Sequence, residues 1–354
     1  MSANEEIFDR EVGHQVNVLG FSSSVVRKVI ALLNRADTDL MDQVRRATER
    51  LPRAQFTAER LDQLLKEMRA VNSQAYAEAL RVINAELRGL TGAEIDFQAS
   101  TLAATVPVQP VILSAEQVYA ATMARPFQGK LLVEWMSELE EDKASLIRDA
   151  VRIGYIEGET TDQIVRRIRG TRSRKYADGL LEISRRNAQA IVRTAVQHTS
   201  SFAAQRMYEE NSDIIKAVRY TSVLDTRTTA ICRARSGKVF PLGEKRPAIP
   251  AHINCRSRYV PVTKSFREMG IDIDEIAPST QASLDGQVPE ELTYQDWLKK
   301  QSKDMQEEIL GVTKAKLFRE GGLDLDRFVD RQGREYTLDE LRQKDAEVFR
   351  RVGI

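Results

Sequence analysis

The chain has 354 residues, 42% of them hydrophobic and 30% charged, with charges that nearly cancel to +1. That is enough chain for two domains, and the balance argues against a uniformly basic nucleic-acid coat while leaving local basic patches open. Two cysteines exclude a disulfide framework, the acidic start MSANEEIFDREVGHQ is unlike a secretory signal, and no apolar run is expected to cross a bilayer, so a cytosolic setting is expected.

Residues 1–125 read as helices. Val26, Ile30 and Leu33 recur at helical spacing, as do Ala75, Ala79, Ile83 and Leu87. Gly89, Gly92 and Pro107 punctuate the next stretch, and Pro107 and Pro110 make TLAATVPVQPVIL extended. Ser114 with Gln117 has the pattern of a capping box. From 126 to 211 the pattern stays helical, with a stripe of Leu132, Trp135, Met136 and Leu139. Thr160 with Gln163 forms a second capping box. A long helix is predicted from about Ser184 to Glu210, lined by Ile191, Ala195, His198 and Phe202. His198 on that stripe reads as a packed, hydrogen-bonded histidine and not a ligand.

Between 212 and 264 the period changes to two. KAVRYTSV, KVF and RSRYVPV are strand candidates, with Pro261 placing the last on a sheet edge. Residues 268–296 hold eight acidic and no basic residues, which suits an exposed linker or arm. Helix returns from about Thr293, with Trp297, Leu298, Met305, Ile309 and Leu310, and Thr337 with Glu340 starts a last short helix.

Both cysteines and one of the three histidines fall within 24 residues. Cys232, His252 and Cys255 offer two thiolates and an imidazole, with Asp225 as a fourth, oxygen ligand, and such a clip would help a small sheet with little core. The plainer and preferred reading of the same residues is two small buried cysteines, with His252 and Asp225 capping loops or pairing with Arg227 or Arg256. A disulfide formed outside the cell is a third option. Catalysis has less support: the sequence carries no P-loop, no Rossmann glycine pattern, no H-E-x-x-H and no G-x-S-x-G. Glu140 and Glu141 read as a solvated face. Residues 166–186 and 225–258 each carry eight Arg or Lys against two acids. Arg166, Arg167, Arg169, Arg172, Arg174 and Lys175 of the first cluster are candidates to meet DNA phosphates or an acidic protein surface, against the plainer reading of a solvated face.

The run Arg193-Thr194, Tyr220-Thr221, Asp225-x-Arg227, Cys232, Gly237-x-Val239-Phe240 and Pro250-x-His252-x-Asn254-Cys255-Arg256 resembles the Mu protein F-like phage head morphogenesis family. In that family a helix carrying Arg-Thr leads into D-x-R-T, then Cys or His positions, a glycine turn and an H-x-N-C-R-C ending before a short strand. The likeness covers roughly 140–264 and includes Gly154, Gly158 and the Thr160–Ile164 segment; Y294-Q-D-W297 and Y336-T337-L-D-E-L341 resemble a tail that follows this domain in phage proteins. Many relatives have C-x-x-C where this chain has Thr229 and Cys232, and C-R-C where it has Cys255-Arg256-Ser257, so any zinc site of the family has lost at least one ligand here.

The expected fold is α+β, mainly α, with a helical N-terminal part, a long helix packed on a small antiparallel sheet, and a helical tail. The expected regions are 1–125 helical, 126–264 the Mu F-like domain with its sheet in 215–264, 265–292 an acidic linker or arm, and 293–354 the helical tail. The resemblance implies a minor capsid protein in the virion, in the capsid interior near the portal, assembled in the host cytoplasm, and not an enzyme. Its implied partners are the portal protein, with packaged double-stranded DNA and capsid or scaffolding protein as further options, and no membrane while in the head. Its implied roles are capsid assembly, DNA packaging or ejection. No cofactor is expected beyond the zinc option. The competing reading is a metal-dependent, nuclease-like enzyme or toxin carried in the virion.

Overall fold

The computed structural model of the protein describes residues 3–49, 58–272, 280–283, 286–289 and 293–354. The protein is 67% helical, with twelve α-helices and a three-stranded antiparallel sheet among the described residues. This is the expected α+β, mainly α class.

Helix α1 spans Ala3–Glu49 and α2 spans Ala58–Thr105. Gly89 and Gly92 do not interrupt α2, contrary to the expected punctuation. Each glycine costs a helix only about 1 kcal/mol relative to alanine, which the buried neighbours Leu87, Leu90 and Ile95 offset by packing. The helix ends two residues before Pro107, whose ring cannot follow a helical turn. By length and composition α1 is apolar enough to cross a membrane, and a third of its most apolar stretch is buried inside the protein. This corrects the expectation that no such run exists: scattered Ser and Gly hide the stretch from a count of consecutive apolar residues. Its apolar positions Val25, Val29 and Leu33 are fully buried, while Arg27 and Lys28 are exposed. A core helix has that same pattern.

The chain divides into two compact units. Unit 2 is Gly20–Thr91 with Tyr119–Thr199, and its named elements among the described residues are all helices. It contains α4 (Leu132–Glu157), α5 (Thr161–Arg169) and the start of α6 (Leu180–Glu210). One of its clusters joins Leu40, Met41 and Val44 to Ile147, Val151, Ile164 and Ile168. The expected Thr160–Gln163 capping box is present: Gln163 N donates to Thr160 Oγ1 at 3.3 Å and Thr160 N to Gln163 Oε1 at 2.7 Å. Gly154 lets α5 lie close on α4, because a Cβ there would collide with the Ile164 side chain. Lys143, 2% exposed, is buried against Asp37 at 2.5 Å, and Arg185 reaches the same carboxylate at 3.2 Å.

Unit 1 comprises Met1–Leu19, Gly92–Val118 and Ser200–Ile354. Its sheet has the order β2-β1-β3, from β1 (Ile215–Thr221), β2 (Val239–Pro241) and β3 (Arg258–Thr263), both pairings antiparallel. Val218 stands between Phe240 and Pro261, so the proline lies on an edge strand as expected, where its missing N–H breaks no ladder. The sheet packs on the end of the long helix through Ala204 and Tyr208, with Ile7 and Phe8 of α1 in the same core. The cross-strand pair Tyr220 and Tyr259 meets edge to face, ring centres 5.4 Å apart.

Where composition suggested an exposed arm, Ser265 N donates to Glu268 at 2.6 Å, Phe266 and Met269 pack on the core, and β4 (Thr280–Ser283) pairs with β5 (Gly286–Pro289). Residues 273–279, 284–285 and 290–292 of that arm lie outside the described residues. The tail, α8 (Tyr294–Lys300) through α12 (Ala346–Val352), has its own core of Trp297, Leu298, Leu317, Phe318 and Phe349. The Thr337–Glu340 capping box is present, and Thr293 with Asp296 forms another that the sequence reading missed because aspartate stands where Glu or Gln was sought.

Candidate metal centre

The short helix α7 (Ala230–Arg235) follows β1 and points Cys232 into the core beneath the sheet. The His252–Cys255 turn is closed by Cys255 N donating to His252 O at 3.2 Å. It needs a left-handed residue, and Asn254 supplies it at φ 60°. Asparagine tolerates that conformation better than most residues, which gives the H-x-N-C pattern a physical reason. Gly237, at φ +85°, has a similar one: a Cβ there would lie 2.6 Å from the Thr293 methyl.

These two pieces bring Cys232, His252 and Cys255 together. Their ligand atoms all lie within 4.8 Å of one another, with Cys232 Sγ 4.0 Å from Cys255 Sγ and 3.2 Å from His252 Nε2. Tetrahedral zinc with bonds of about 2.0–2.3 Å places neighbouring ligand atoms roughly 3.5–3.8 Å apart, so the triangle is close to the right size. His252 Nδ1 lies 2.8 Å from Ile253 O, to which only an N–H can bond, and this presents Nε2 to the sulfurs.

The electrostatics favour one negative charge on the pair. Hydrogen bonding from Cys255, against the opposing effect of burial and with help from His252, pulls the Cys232 thiol far below its usual range. The same bond to Cys232, followed by burial, pushes Cys255 up. The Cys232 contact raises His252. Tyr220 Oη stands 3.4 Å from Cys232 Sγ, and burial keeps its phenol protonated.

Asp225 does not join this group, which corrects the four-ligand expectation. Its carboxylate is held by Arg256 through two bonds of 2.7 Å and takes Thr228 Oγ1 at 3.1 Å. Burial works to raise the Asp225 carboxyl, but the bonds and charge of Arg256 prevail and hold it below the usual range. Two charge-assisted bonds from one planar guanidinium hold the carboxylate facing Arg256. Nearest to a fourth position is Thr229, whose Oγ1 is 2.9 Å from His252 Nε2. Ser257 also bonds to Cys232 and stands 3.0 Å from Ser222 Oγ. Thr229 and Ser257 are the two positions where the resemblance would put cysteines. The residues present therefore fit a three-ligand site, with hydroxyls at the positions of two further thiols.

Residues 145–260 match the family model described as Phage Mu protein F like protein. Over this third of its length the chain is similar to that family. No curated protein and no solved structure matches the chain. The matched segment contains the whole Cys–His cluster and the first basic cluster.

In that basic cluster α5 ends at Gly170 and a single 3-10 turn, Arg172–Arg174, comes next. Arg166, Arg169, Arg172, Arg174 and Lys175 are exposed. Arg167 differs: it is half-buried and bridges Glu157, at 2.7 Å, and Glu159. It fastens α5 to the end of α4 and is committed to that work. His198 is buried beside Phe127, ring centres 5.3 Å apart, and burial, foremost, lowers its pKa to about 4. It is the packed histidine that its stripe position suggested.

Sequence reasoning missed one polar centre altogether. Arg258 of β3 is buried in unit 1, with Nη2 2.7 Å from Glu11 and 3.1 Å from Glu94. His14 bonds to Glu94 at 2.9 Å, as does Ser200 at 2.7 Å. Burial would raise the Glu94 carboxyl, but Arg258 and then His14 outweigh it and bring the pKa down to about 2. Burial raises Glu11 instead. The partners are far apart in sequence, 243 residues in the case of Arg258 and Gln15, so no local pattern links them. The one available signal was Glu94 standing among apolar helix positions.

Proposed function

We propose that this chain is a minor component of a tailed-phage head, held at the portal on the capsid interior, where it acts in head assembly, DNA packaging or genome delivery as a structural protein and not an enzyme. The observation that carries the reading is the Mu F-like match over residues 145–260. The exposed arginines of the 166–175 segment support it as a surface for an acidic portal face or for packaged DNA, and capsid or scaffolding protein is the further candidate neighbour. The test is quantitative mass spectrometry of purified heads and portals. The expected result is a constant copy number far below that of the major capsid protein. Finding none of the chain in the particles would reject the assignment.

The Cys232–His252–Cys255 cluster carries a secondary proposal, that it takes up zinc through three ligands. Closed structural sites use four, so the fourth position would exchange and the metal would yield to a chelator.

A further inference from the structure

Unit 2 contains a cavity of about 340 Å³ lined by residues of α1, α2 and α4. Its floor is apolar: Leu40, Met68 and Ile147 are buried, and Leu65 packs against the same cluster. Its rim is cationic. Lys66 and Arg69 of α2 are exposed, and Arg148 of α4 is half-buried. No carboxylate is in the lining.

These cations differ from others on the helical surface. Arg10, Arg186 and Arg206 each have a carboxylate one turn away, on Glu6, Glu182 and Glu210. One turn from Arg69 on α2 stand Leu65, Lys66, Asn72 and Ser73, none of them acidic. Lys66 and Arg69 make no hydrogen bond or ion pair among the described residues. Arg148 meets Asp149 through Nε at 3.1 Å, an exposed pair of little strength. The Glu140 carboxylate stands outside the lining and takes Ser73 Oγ. Like charges gathered at one opening repel, and an anion held among them relieves that repulsion.

The lining also selects the rest of the occupant. An apolar floor beside a few charged groups calls for an apolar tail on the anion. The volume lies at the low end of the roughly 300–1,000 Å³ of small-molecule pockets, which suits one short alkyl chain and not the two long chains of a membrane lipid. A polypeptide would bring main-chain amides that need neutral partners. The one neutral polar residue in the lining, Asn72, is 2% exposed, and its Nδ2 donates to Glu140 O at 3.0 Å. We propose that this cavity binds a free, single-chain anionic amphiphile of the medium-chain fatty-acid class, with its tail on Leu40, Met68 and Ile147 and its carboxylate among Lys66, Arg69 and Arg148.

This site does not rest on the head-assembly reading, and either can fail alone. The test is nuclear magnetic resonance on the full chain, following the Met68 methyl signal, which Met68→Leu assigns. Octanoate should shift it saturably in the millimolar range or tighter. Each buried methylene tightens binding roughly fourfold, so hexanoate should bind at least about fivefold more weakly. Octylammonium, with the tail but the wrong charge, should bind at least about tenfold more weakly than octanoate. Arg69→Glu, at an exposed position, should keep the circular dichroism of the parent and weaken octanoate by about tenfold, while Arg69→Lys should retain most of the binding. Phosphatidylglycerol vesicles should leave the Met68 signal unmoved. No saturable shift, equal binding of octylammonium, or an unaffected Arg69→Glu variant would overturn the proposal. So would vesicle binding that Arg69→Glu abolishes, since the occupant would then be a membrane lipid, or a concentration-dependent dimer that octanoate dissolves, since it would then be a second copy.

Discussion

Replacing Arg258 with methionine tests the account of the buried polar centre most directly. The change keeps most of the side-chain volume and removes the one guanidinium that faces both Glu11 and Glu94. The two carboxylates then stand in the core with only His14 and neutral donors beside them. Removing one partner of a buried ion pair costs about 3–5 kcal/mol, because the remaining charge stays desolvated. The pKa of Glu94 gives a consistent scale. Its folded value of about 2 lies below its ordinary 4.5, so its ionised form contributes stability above pH 4.5 that is lost as pH falls through 2. That difference corresponds to roughly 3 kcal/mol. In Arg258→Met the Glu94 value should rise, and the loss of stability should be largest near neutral pH and shrink as the carboxyls protonate. Urea unfolding followed by circular dichroism at pH 7 and at pH 4 measures both. Adding Glu11→Gln to Arg258→Met should restore part of the stability at pH 7. A loss below about 1 kcal/mol at pH 7, or one independent of pH, would refute the argument.

Three further outcomes are expected. Gly154→Ala should destabilise unit 2 by about 1–3 kcal/mol in thermal or urea unfolding, since the new methyl must displace Ile164; a neutral result would mean that α5 is free to move away. Purified protein loaded with zinc should bind up to one equivalent by elemental analysis and release it to a chelator, while Cys255→Ala should bind none; failure of the parent to take up any zinc would leave the cluster as two packed cysteines and a histidine. Replacing Arg166, Arg169, Arg172 and Arg174 with alanine should weaken binding to random-sequence DNA or to the portal and flatten the salt dependence by roughly 0.9 log unit for each phosphate no longer neutralised, without change in circular dichroism; unchanged affinity for both would make the arginines a solvated face.

The sequence by itself determined the local structure and showed the likeness to the Mu F-like family over residues 145–260. Apolar periodicity placed the helices, the change of period placed β1, β2 and β3, and Pro261 put the last on an edge. The capping boxes at Thr160 and Thr337 were legible because they are four-residue patterns governed by nearby hydrogen bonds. Cys232, His252 and Cys255 could be grouped because one turn and one short helix in a single segment bring them together. Tertiary structure decided the rest. Asp225 looked like a ligand, but Arg256 competes for it, and only three-dimensional placement shows which partner is within reach. Arg167 has the charge of a basic surface, but Glu157 and Glu159 stand beside it and claim it. Helix α2 ran through Gly89 and Gly92 because buried side chains outweighed a backbone preference of about 1 kcal/mol. The Glu11–Glu94–Arg258 centre joins three distant elements, and the charge of a side chain carries no sign of whether it will be buried. Hydrogen bonds and helix periods act over a few residues and leave a trace in sequence; the pairing of buried charges acts through space and leaves none.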